Sequence, residues 1–126
     1  MCIRLVPTDA VVITELTLLL YSDYGARVAT LDLRKYGMNQ IRLERDPYDF
    51  EVRVESLPLV EGDYHLGFYI ATNGSGRDYL DVATLTVTAP ERNTGFVPYA
   101  PQYRGVLELD FMVNTQHPGA TRSLSL

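Results

Sequence analysis

Apolar and polar residues alternate along much of this chain with a period of two, which is typical of β-strands buried on one face. The alternation is strict in the segment 50–55, where apolar residues separate the charged ones. In the segment 64–72 four large apolar side chains share one face: Tyr64, Leu66, Phe68 and Ile70. His65, Gly67 and Tyr69 fall on the opposite face. We predict a strand in each segment, with Tyr64 and its neighbours packed in the core.

Four further segments are predicted to form strands, and they are 11–21, 27–33, 79–88 and 105–113. Asn73 and Gly74 stand between two of the predicted strands and indicate a tight hairpin turn, because both residue types tolerate the positive φ that such a turn needs. The segment 34–47 shows no clear alternation and contains Gly37 and Pro47. At most one helical turn is expected there, at 38–41.

Six or seven strands joined by short turns, with no run of helices, predict an all-β protein of two antiparallel sheets packed face to face. The expected fold is a β-sandwich, either immunoglobulin-like or jelly-roll-like. We expect one domain over residues 1–115 and a flexible C-terminal tail over 116–126. The predicted core comprises eleven residues: Val52, Val54, Tyr64, Leu66, Phe68, Ile70, Leu85, Val87, Leu107, Leu109 and Phe111.

Composition narrows the choice of partners. The chain has 126 residues, 46% of them hydrophobic, and a formal net charge of −5 at pH 7. That charge disfavours nucleic acid and anionic membranes as partners. The single cysteine, Cys2, allows no intramolecular disulfide. No secretory apolar region follows Met1, and no apolar run is long enough for a membrane span, so a cytoplasmic location is expected.

The motifs of several enzyme classes are missing from the sequence. It contains no phosphate-binding loop, no dinucleotide-binding glycine fingerprint and no Gly-x-Ser-x-Gly nucleophile elbow. The two histidines, His65 and His117, are far apart and lack the spacing of metal ligands. We therefore expect no catalytic activity, no cofactor and no metal. The sequence leaves one enzymatic alternative open, a glycosidase-like pair of carboxylates. Such a pair needs a set distance between its two carboxyl groups, which only the fold decides.

Tyrosine is the residue that most suggests a binding function. The chain has nine tyrosines, four phenylalanines and no tryptophan. A tyrosine offers an apolar ring face for the C–H side of a sugar and a hydroxyl for its polar rim. The expected ligand site lies on strand faces that point away from the core, with Arg53, His65, Tyr69, Asp81 and Asp110 as its predicted residues. Tyr79, Tyr99 and Tyr103, at loops or strand starts, are the alternative platforms.

Three stretches of the sequence resemble a known family. They are the hairpin 18–28 with its Asp23-Tyr24-Gly25 turn, the Leu-Pro-Leu-x-x-Gly-x-Tyr-x-Leu pattern at 57–66, and the series of strand, glycine-containing loop and Gly-Val strand from 81 to 107. In this order and spacing, the chain resembles the carbohydrate-binding C-terminal domain of the ATP-binding subunit of ABC transporters that export O-antigen polysaccharide. It departs from that family in lacking the tryptophan near the end of the final strand.

The resemblance implies a function in lipopolysaccharide biosynthesis. A domain of this family would recognise a polysaccharide and couple that recognition to export, together with a transporter ATPase domain. It would also form a homodimer by exchanging edge strands, which covers an otherwise exposed sheet edge. The alternative is a structural or protein-interaction β-sandwich without a sugar site, since tyrosine enrichment is equally typical of protein interfaces.

Overall fold

The computed structural model describes residues 1–89, 91, 95–113 and 125. Seven strands and two short 3₁₀ helices are present in these ranges. In chain order the strands are β1 (Cys2–Leu5), β2 (Val11–Ser22), β3 (Arg27–Asp32), β4 (Ile41–Leu43), β5 (Tyr48–Glu51), β6 (Gly62–Thr72) and β7 (Ser75–Val87). The 3₁₀ helices span Leu33–Tyr36 and Pro101–Tyr103. No helix among the described residues is long and apolar enough to cross a membrane.

The long strand β2 lies at the centre of a five-stranded antiparallel sheet. It pairs with β6 along one side, and with β3 and β4 along the other, while β7 continues the sheet beyond β6. The register places Leu18 between Leu31 of β3 and Phe68 of β6. Side chains at directly opposed positions share a face of the sheet. One apolar row therefore crosses three strands on the inner face.

A second, two-stranded sheet formed by β1 and β5 covers part of this inner face. Six buried residues form the main core between the sheets: Ile13, Leu16, Leu18, Leu33, Leu43 and Phe68. Ile3, Leu5, Tyr48 and Phe50 of the small sheet pack against them. The predicted all-β sandwich is thus confirmed, with two sheets of unequal size.

The hairpin between β6 and β7 follows the prediction. Asn73 and Gly74 have φ values of 43° and 89°, as expected for a turn with both central residues left-handed. Further along, Gly67 of β6 faces a bulge of three β7 residues that lies between Tyr79 and Ala83. A side chain at position 67 would approach the backbone oxygen of Tyr79 to 2.7 Å. Glycine at this position is therefore needed for the two strands to stay together at the bulge.

Two strand predictions are wrong in extent. The strand at 50–55 ends at Glu51, and the segment 105–113 forms no strand beyond an isolated bridge between Leu59 and Leu107. The helical turn lies at Leu33–Tyr36 instead of 38–41. There Asp32 caps the helix by accepting a hydrogen bond from the backbone N–H of Arg34, and this capping interaction explains the shift.

The predicted core is correct for the middle strands and wrong for the last segment, residues 105–113. Tyr64 and Phe68 are buried, and partial burial is found for five others, Val52, Leu66, Ile70, Leu85 and Val87. Four predicted core residues are exposed instead: Val54, Leu107, Leu109 and Phe111, the last with 83% of its surface accessible. Their alternation is that of a strand, but no strand in the described part of the chain pairs with them beyond the single bridge at Leu107.

The start of the last segment is nevertheless attached to the rest of the fold. The backbone N–H groups of Val60 and Glu108 donate to the carbonyls of Val106 and Pro58, at 3.1 and 2.9 Å. The guanidinium of Arg104 lies 2.6 Å from Glu61 Oε1 and 2.7 Å from Glu108 Oε2. These contacts hold residues 104–108 against the loop that precedes β6. Apart from Ser125, the predicted tail at 116–126 lies outside the described residues, and the domain boundary stays a prediction.

Candidate functional site

The outer face of the five-stranded sheet carries a polar groove. Strand β2 alternates so that Leu16, Leu18 and Leu20 point inward, which leaves Glu15, Thr17 and Leu19 for the outer face. The groove has a volume of about 340 Å³. Its lining residues come from four strands and the first 3₁₀ helix: Glu15, Thr17, Leu19, Arg27, Thr30, Asp32, Arg34, Tyr69 and Asp78.

Strand register is what brings the centre of the groove together. Thr17 is opposite Asp32 of β3 on one side and Tyr69 of β6 on the other, and Tyr69 is in turn opposite Asp78 of β7. These four side chains form one row across the sheet, because directly opposed residues point to the same face. An aromatic ring is thus flanked by hydroxyl and carboxylate groups.

The Tyr69 ring occupies space that only a glycine leaves free. It lies over Gly76 of β7, where a Cβ atom would overlap the Tyr69 ring and its hydroxyl oxygen. The ring of Tyr69 therefore leans along the sheet toward the β6–β7 hairpin. A planar side chain held in this way loses little further conformational entropy when a ligand stacks on its ring.

Arg34 is fixed on the β3 side of the groove. Its Nε and Nη2 atoms donate to Asp32 Oδ1 and Oδ2 at 2.9 and 2.7 Å, and its Nη1 lies 3.5 Å from Glu15 Oε2. The hydrogen bonds from Arg34 lower the pKa of Asp32 to about 2. Asp32 is therefore ionised throughout the physiological pH range, and the Asp32–Arg34 pair presents a planar polar surface.

Arg27 is oriented by an aromatic neighbour. Its Nη2 donates to the hydroxyl of Tyr21 at 2.7 Å. Its guanidinium carbon also lies 5.3 Å from the centre of the Tyr21 ring, within the range of a cation–π interaction. The two contacts orient the guanidinium beside the groove.

A second polar cluster lies on the same face near the β2–β3 turn. His65 Nε2 is 3.1 Å from Asp23 Oδ1, and His65 Nδ1 is 3.4 Å from Asp81 Oδ1. Asp81 reaches the histidine from the β7 bulge, where its φ is 53°. No group of three histidine, cysteine or acidic side chains suited to a metal ion occurs among the residues that the structure describes.

With this geometry in place, the chain can be compared with known proteins. No protein-family model and no curated protein matches it. Among solved structures, it is similar to the crystal structure of the C-terminal domain of wzt, with a TM-score of 0.57 over 90% of this chain and 67% of that chain. The chain shares the fold of that domain. The sequence identity is 18%, so the likeness concerns the fold alone. The neighbour is the kind of domain that the sequence resembles, and the expected fold is confirmed.

The structure separates the five predicted site residues into two groups. His65, Tyr69 and Asp81 belong to the outer face. Arg53 follows β5 and lines a different depression, with Lys35 and Tyr36, where its Nη2 lies 3.5 Å from Glu51 Oε1. Asp110 lies in the exposed last segment. Neither is among the residues that line the groove.

The alternative tyrosine platforms also lie outside the groove. Tyr79 is opposite Phe68 and therefore on the inner face, where the guanidinium of Arg77 covers its ring. Tyr99 and Tyr103 are exposed in the stretch that leads to the last segment. Among the predicted aromatic positions, Tyr69 is the one in the groove.

Several groove residues were not predicted from the sequence: Glu15, Thr17, Arg27, Asp32, Arg34 and Asp78. The positions of Glu15 and Thr17 could have been predicted, since both alternate with leucines in β2 and must point away from the core. The position of Arg34 could not, because it lies in the 3₁₀ helix and is held at the groove by its pairing with Asp32. Asp78 was missed because β7 begins at Ser75, four residues before the predicted strand.

Proposed function

We propose that this chain is a non-catalytic module that binds a polysaccharide in the outer-face groove, with Tyr69 as the platform for a sugar ring. The observation that carries the proposal is the row of Asp32, Thr17, Tyr69 and Asp78 across four strands. A sugar presents one apolar C–H face and a rim of hydroxyls. An aromatic face among carboxylate, guanidinium and hydroxyl groups matches both features.

The order of the polar groups supports this function. Arg34 is held by Asp32, and Arg27 is held by Tyr21. Binding a flexible glycan loses affinity for each side chain that must be ordered, by roughly 0.5–1.5 kcal/mol. Side chains that are already in place avoid most of that loss. A groove whose lining spans four strands also suits a polymer that extends beyond one sugar.

The fold adds a biological setting to the proposal. Both the shared fold with the C-terminal domain of wzt and the sequence resemblance support recognition of an O-antigen-like glycan. In that setting the domain would couple recognition to export through a transporter ATPase domain on the cytoplasmic side of the membrane. Arg53 and Asp110, which lie outside the groove, would have no part in this site, while His65 and Asp81 would border it.

A protein-interaction module is the second candidate, and the last segment is what favours it. Leu109, Phe111, Met112 and Val113 are all largely exposed. Contiguous exposed apolar residues mark surfaces that bind proteins. The outer groove is polar instead, so the two surfaces would serve different partners. We assign the groove to the glycan and the last segment to a second copy of the chain.

The proposed homodimer would use the free edge of β7. In the described part of the chain β7 pairs only with β6, and unpaired strand edges are usually covered. Near it, an apolar groove of about 620 Å³ opens between the loop 6–10 and the inner face, with Phe68, Tyr79 and Val82 in its wall. The apolar side chains that alternate along the last segment would fill this apolar groove if two copies related by a two-fold axis each placed the last segment on the other.

A dimer predicts a molar mass of about 28 kDa by light scattering at micromolar concentration, twice the 14.2 kDa of one chain. Phe111→Lys should shift the protein to the monomer, because a charge would then be buried against the partner. Tyr36→Lys is the matched control, since Tyr36 is equally exposed but lies on the first 3₁₀ helix, and it should leave the dimer intact. A 14 kDa species for the unmodified chain at high micromolar concentration would rule the dimer out.

The sugar site predicts a loss of affinity on Tyr69→Ala. A glycan array of bacterial polysaccharides first identifies a ligand, and titration calorimetry then compares the variants. Loss of one stacked ring should weaken binding by about 1–3 kcal/mol, by analogy with base–aromatic stacking. The unfolding midpoint should change far less than for a core substitution, because the ring is only half-buried.

Gly76→Ala provides an independent test of the same ring. The added methyl group overlaps the Tyr69 ring, so it should displace the platform while the tyrosine stays in the protein. Tyr24→Ala is the matched control, because this exposed turn tyrosine lies outside the groove. Unchanged affinity in both Tyr69→Ala and Gly76→Ala would show that the glycan binds elsewhere.

A further inference from the structure

The charges on the outer face are strongly unbalanced. Six carboxylates lie in the groove or along the adjoining part of the face: Glu15, Asp23, Asp32, Asp63, Asp78 and Asp81. The groove itself contains two guanidinium groups, those of Arg27 and Arg34. His65 adds a positive charge only when it is protonated. The groove and the adjoining part of the face therefore carry more carboxylates than guanidinium groups.

The two arginines do not offset this imbalance for an incoming ligand. Arg34 is already neutralised by two carboxylates, since it donates to both oxygens of Asp32 and lies 3.5 Å from Glu15. A guanidinium with its donors used in this way has little capacity left for a ligand anion. Arg27 contacts the Tyr21 ring and hydroxyl, and these contacts hold it in place beside the groove.

Asp78 is the carboxylate that a ligand on Tyr69 would meet. It is directly opposite Tyr69 in the sheet, and it is exposed. Among the described residues no side chain forms an ion pair or a hydrogen bond with its carboxylate. An ionised carboxylate only accepts hydrogen bonds. It therefore suits a ligand group that donates, such as a hydroxyl or an ammonium group.

We propose that the groove discriminates by charge, and selects glycans whose sugar on Tyr69 carries hydroxyl or amino groups, against those carrying carboxylate, phosphate or sulfate. The inference rests on the proposed function and deepens it. An anionic substituent beside Asp78 would face a like charge, while of the two groove guanidinium groups Arg34 is already paired with Asp32 and Arg27 is held against Tyr21. A neutral or amino sugar would instead donate a charge-assisted hydrogen bond to the same carboxylate.

The test is an array of polysaccharides that covers neutral, amino-sugar and acidic repeat units, followed by titration of matched oligosaccharides of each class. At about 10 mM salt, acidic oligosaccharides should bind about tenfold or more weakly than neutral ones of equal length, as expected for one like-charge contact near a protein surface. The difference in affinity between acidic and neutral oligosaccharides should be smaller at 1 M salt, because the screening length falls from about 30 Å at about 10 mM to about 3 Å.

Asp78→Asn removes the charge and keeps the shape of the side chain. It should raise the affinity for acidic oligosaccharides by several-fold and lower the affinity for amino sugars, so that the difference between the classes shrinks. Asp46→Asn is the matched control, because Asp46 is an exposed carboxylate in the turn before β5, and it should leave the discrimination unchanged.

The failures of the two proposals can be told apart. Preferred binding of acidic polysaccharides, or discrimination that Asp78→Asn leaves unchanged, would overturn charge selection while glycan binding itself stands. An array on which no polysaccharide of any class binds would overturn the proposed function, and charge selection with it.

Discussion

Replacing Phe68 by alanine should lower the free energy of unfolding by about 3–5 kcal/mol, as expected for a large aromatic side chain removed from a core. Phe68 is 5% exposed and belongs to the main core cluster between the two sheets. Its neighbours Leu18 and Gly67 sit in the middle of the sheet, where the backbone cannot easily collapse into the space left by the ring. Urea unfolding monitored by circular dichroism measures the change.

Phe96→Ala is the control for the Phe68 variant. The same atoms are removed, but Phe96 is 64% exposed, so its loss should change the stability by no more than about 0.5 kcal/mol. Phe68→Leu should fall between the two, because it keeps most of the apolar volume. Equal midpoints for Phe68→Ala and Phe96→Ala would contradict the assignment of Phe68 to the core.

Replacing Arg104 by methionine is the second substitution with a large expected effect. The Arg104 side chain is 12% exposed and lies within hydrogen-bond distance of both Glu61 and Glu108. Breaking a fully buried ion pair costs about 3–5 kcal/mol. We expect about 2–3 kcal/mol here, since Glu61 and Glu108 keep some contact with solvent.

Arg4→Met is the matched control for Arg104→Met. Arg4 also forms a bidentate pair, since its Nε and Nη2 atoms donate to Asp49 Oδ1 and Oδ2 at 2.7 and 2.8 Å. Arg4 and Asp49 are both exposed to solvent, and an exposed ion pair contributes no more than about 1 kcal/mol. If the two variants lost equal stability, Arg104 would not anchor the last segment. Hydrogen exchange at Val60 and Glu108 would report the same loss locally, because their N–H groups bond across to Val106 and Pro58.

Four of the five strands of the large sheet were predictable from local pattern, but β4 was not, because the segment 34–47 shows no clear alternation. In β6 the alternation continues over most of the strand, and in β2 it is clear from Glu15 to Leu18; burial then selects one face. The Asn73-Gly74 turn specified that the next strand returns antiparallel beside β6. The segment 50–55 alternates equally well but leaves the small sheet after Glu51. Alternation shows that a segment can be half-buried, but not how far its partner strand extends.

The last segment shows most clearly what the alternation of residues leaves undecided. Leu107, Leu109 and Phe111 alternate with polar residues as a strand requires, yet they are exposed in the single chain. A strand exists only where a neighbouring backbone supplies hydrogen bonds. The described part of this chain offers the segment one bridge, from Leu59. Sequence pattern carries no information about whether that neighbour is in the same molecule.

The amino-acid sequence by itself determined the all-β class, the central strands, the hairpin turn and the outward orientation of His65 and Tyr69, because each of these follows from periodicity or turn chemistry within a few residues. The tertiary structure alone decided what surrounds Tyr69. Asp32, Thr17 and Asp78 are 37, 52 and 9 positions from Tyr69 in the sequence, and only the register between four strands places them in one row. Register depends on the packing of the whole inner face, since a shift by one residue would turn Leu16, Leu18 and Leu20 of β2 away from the core.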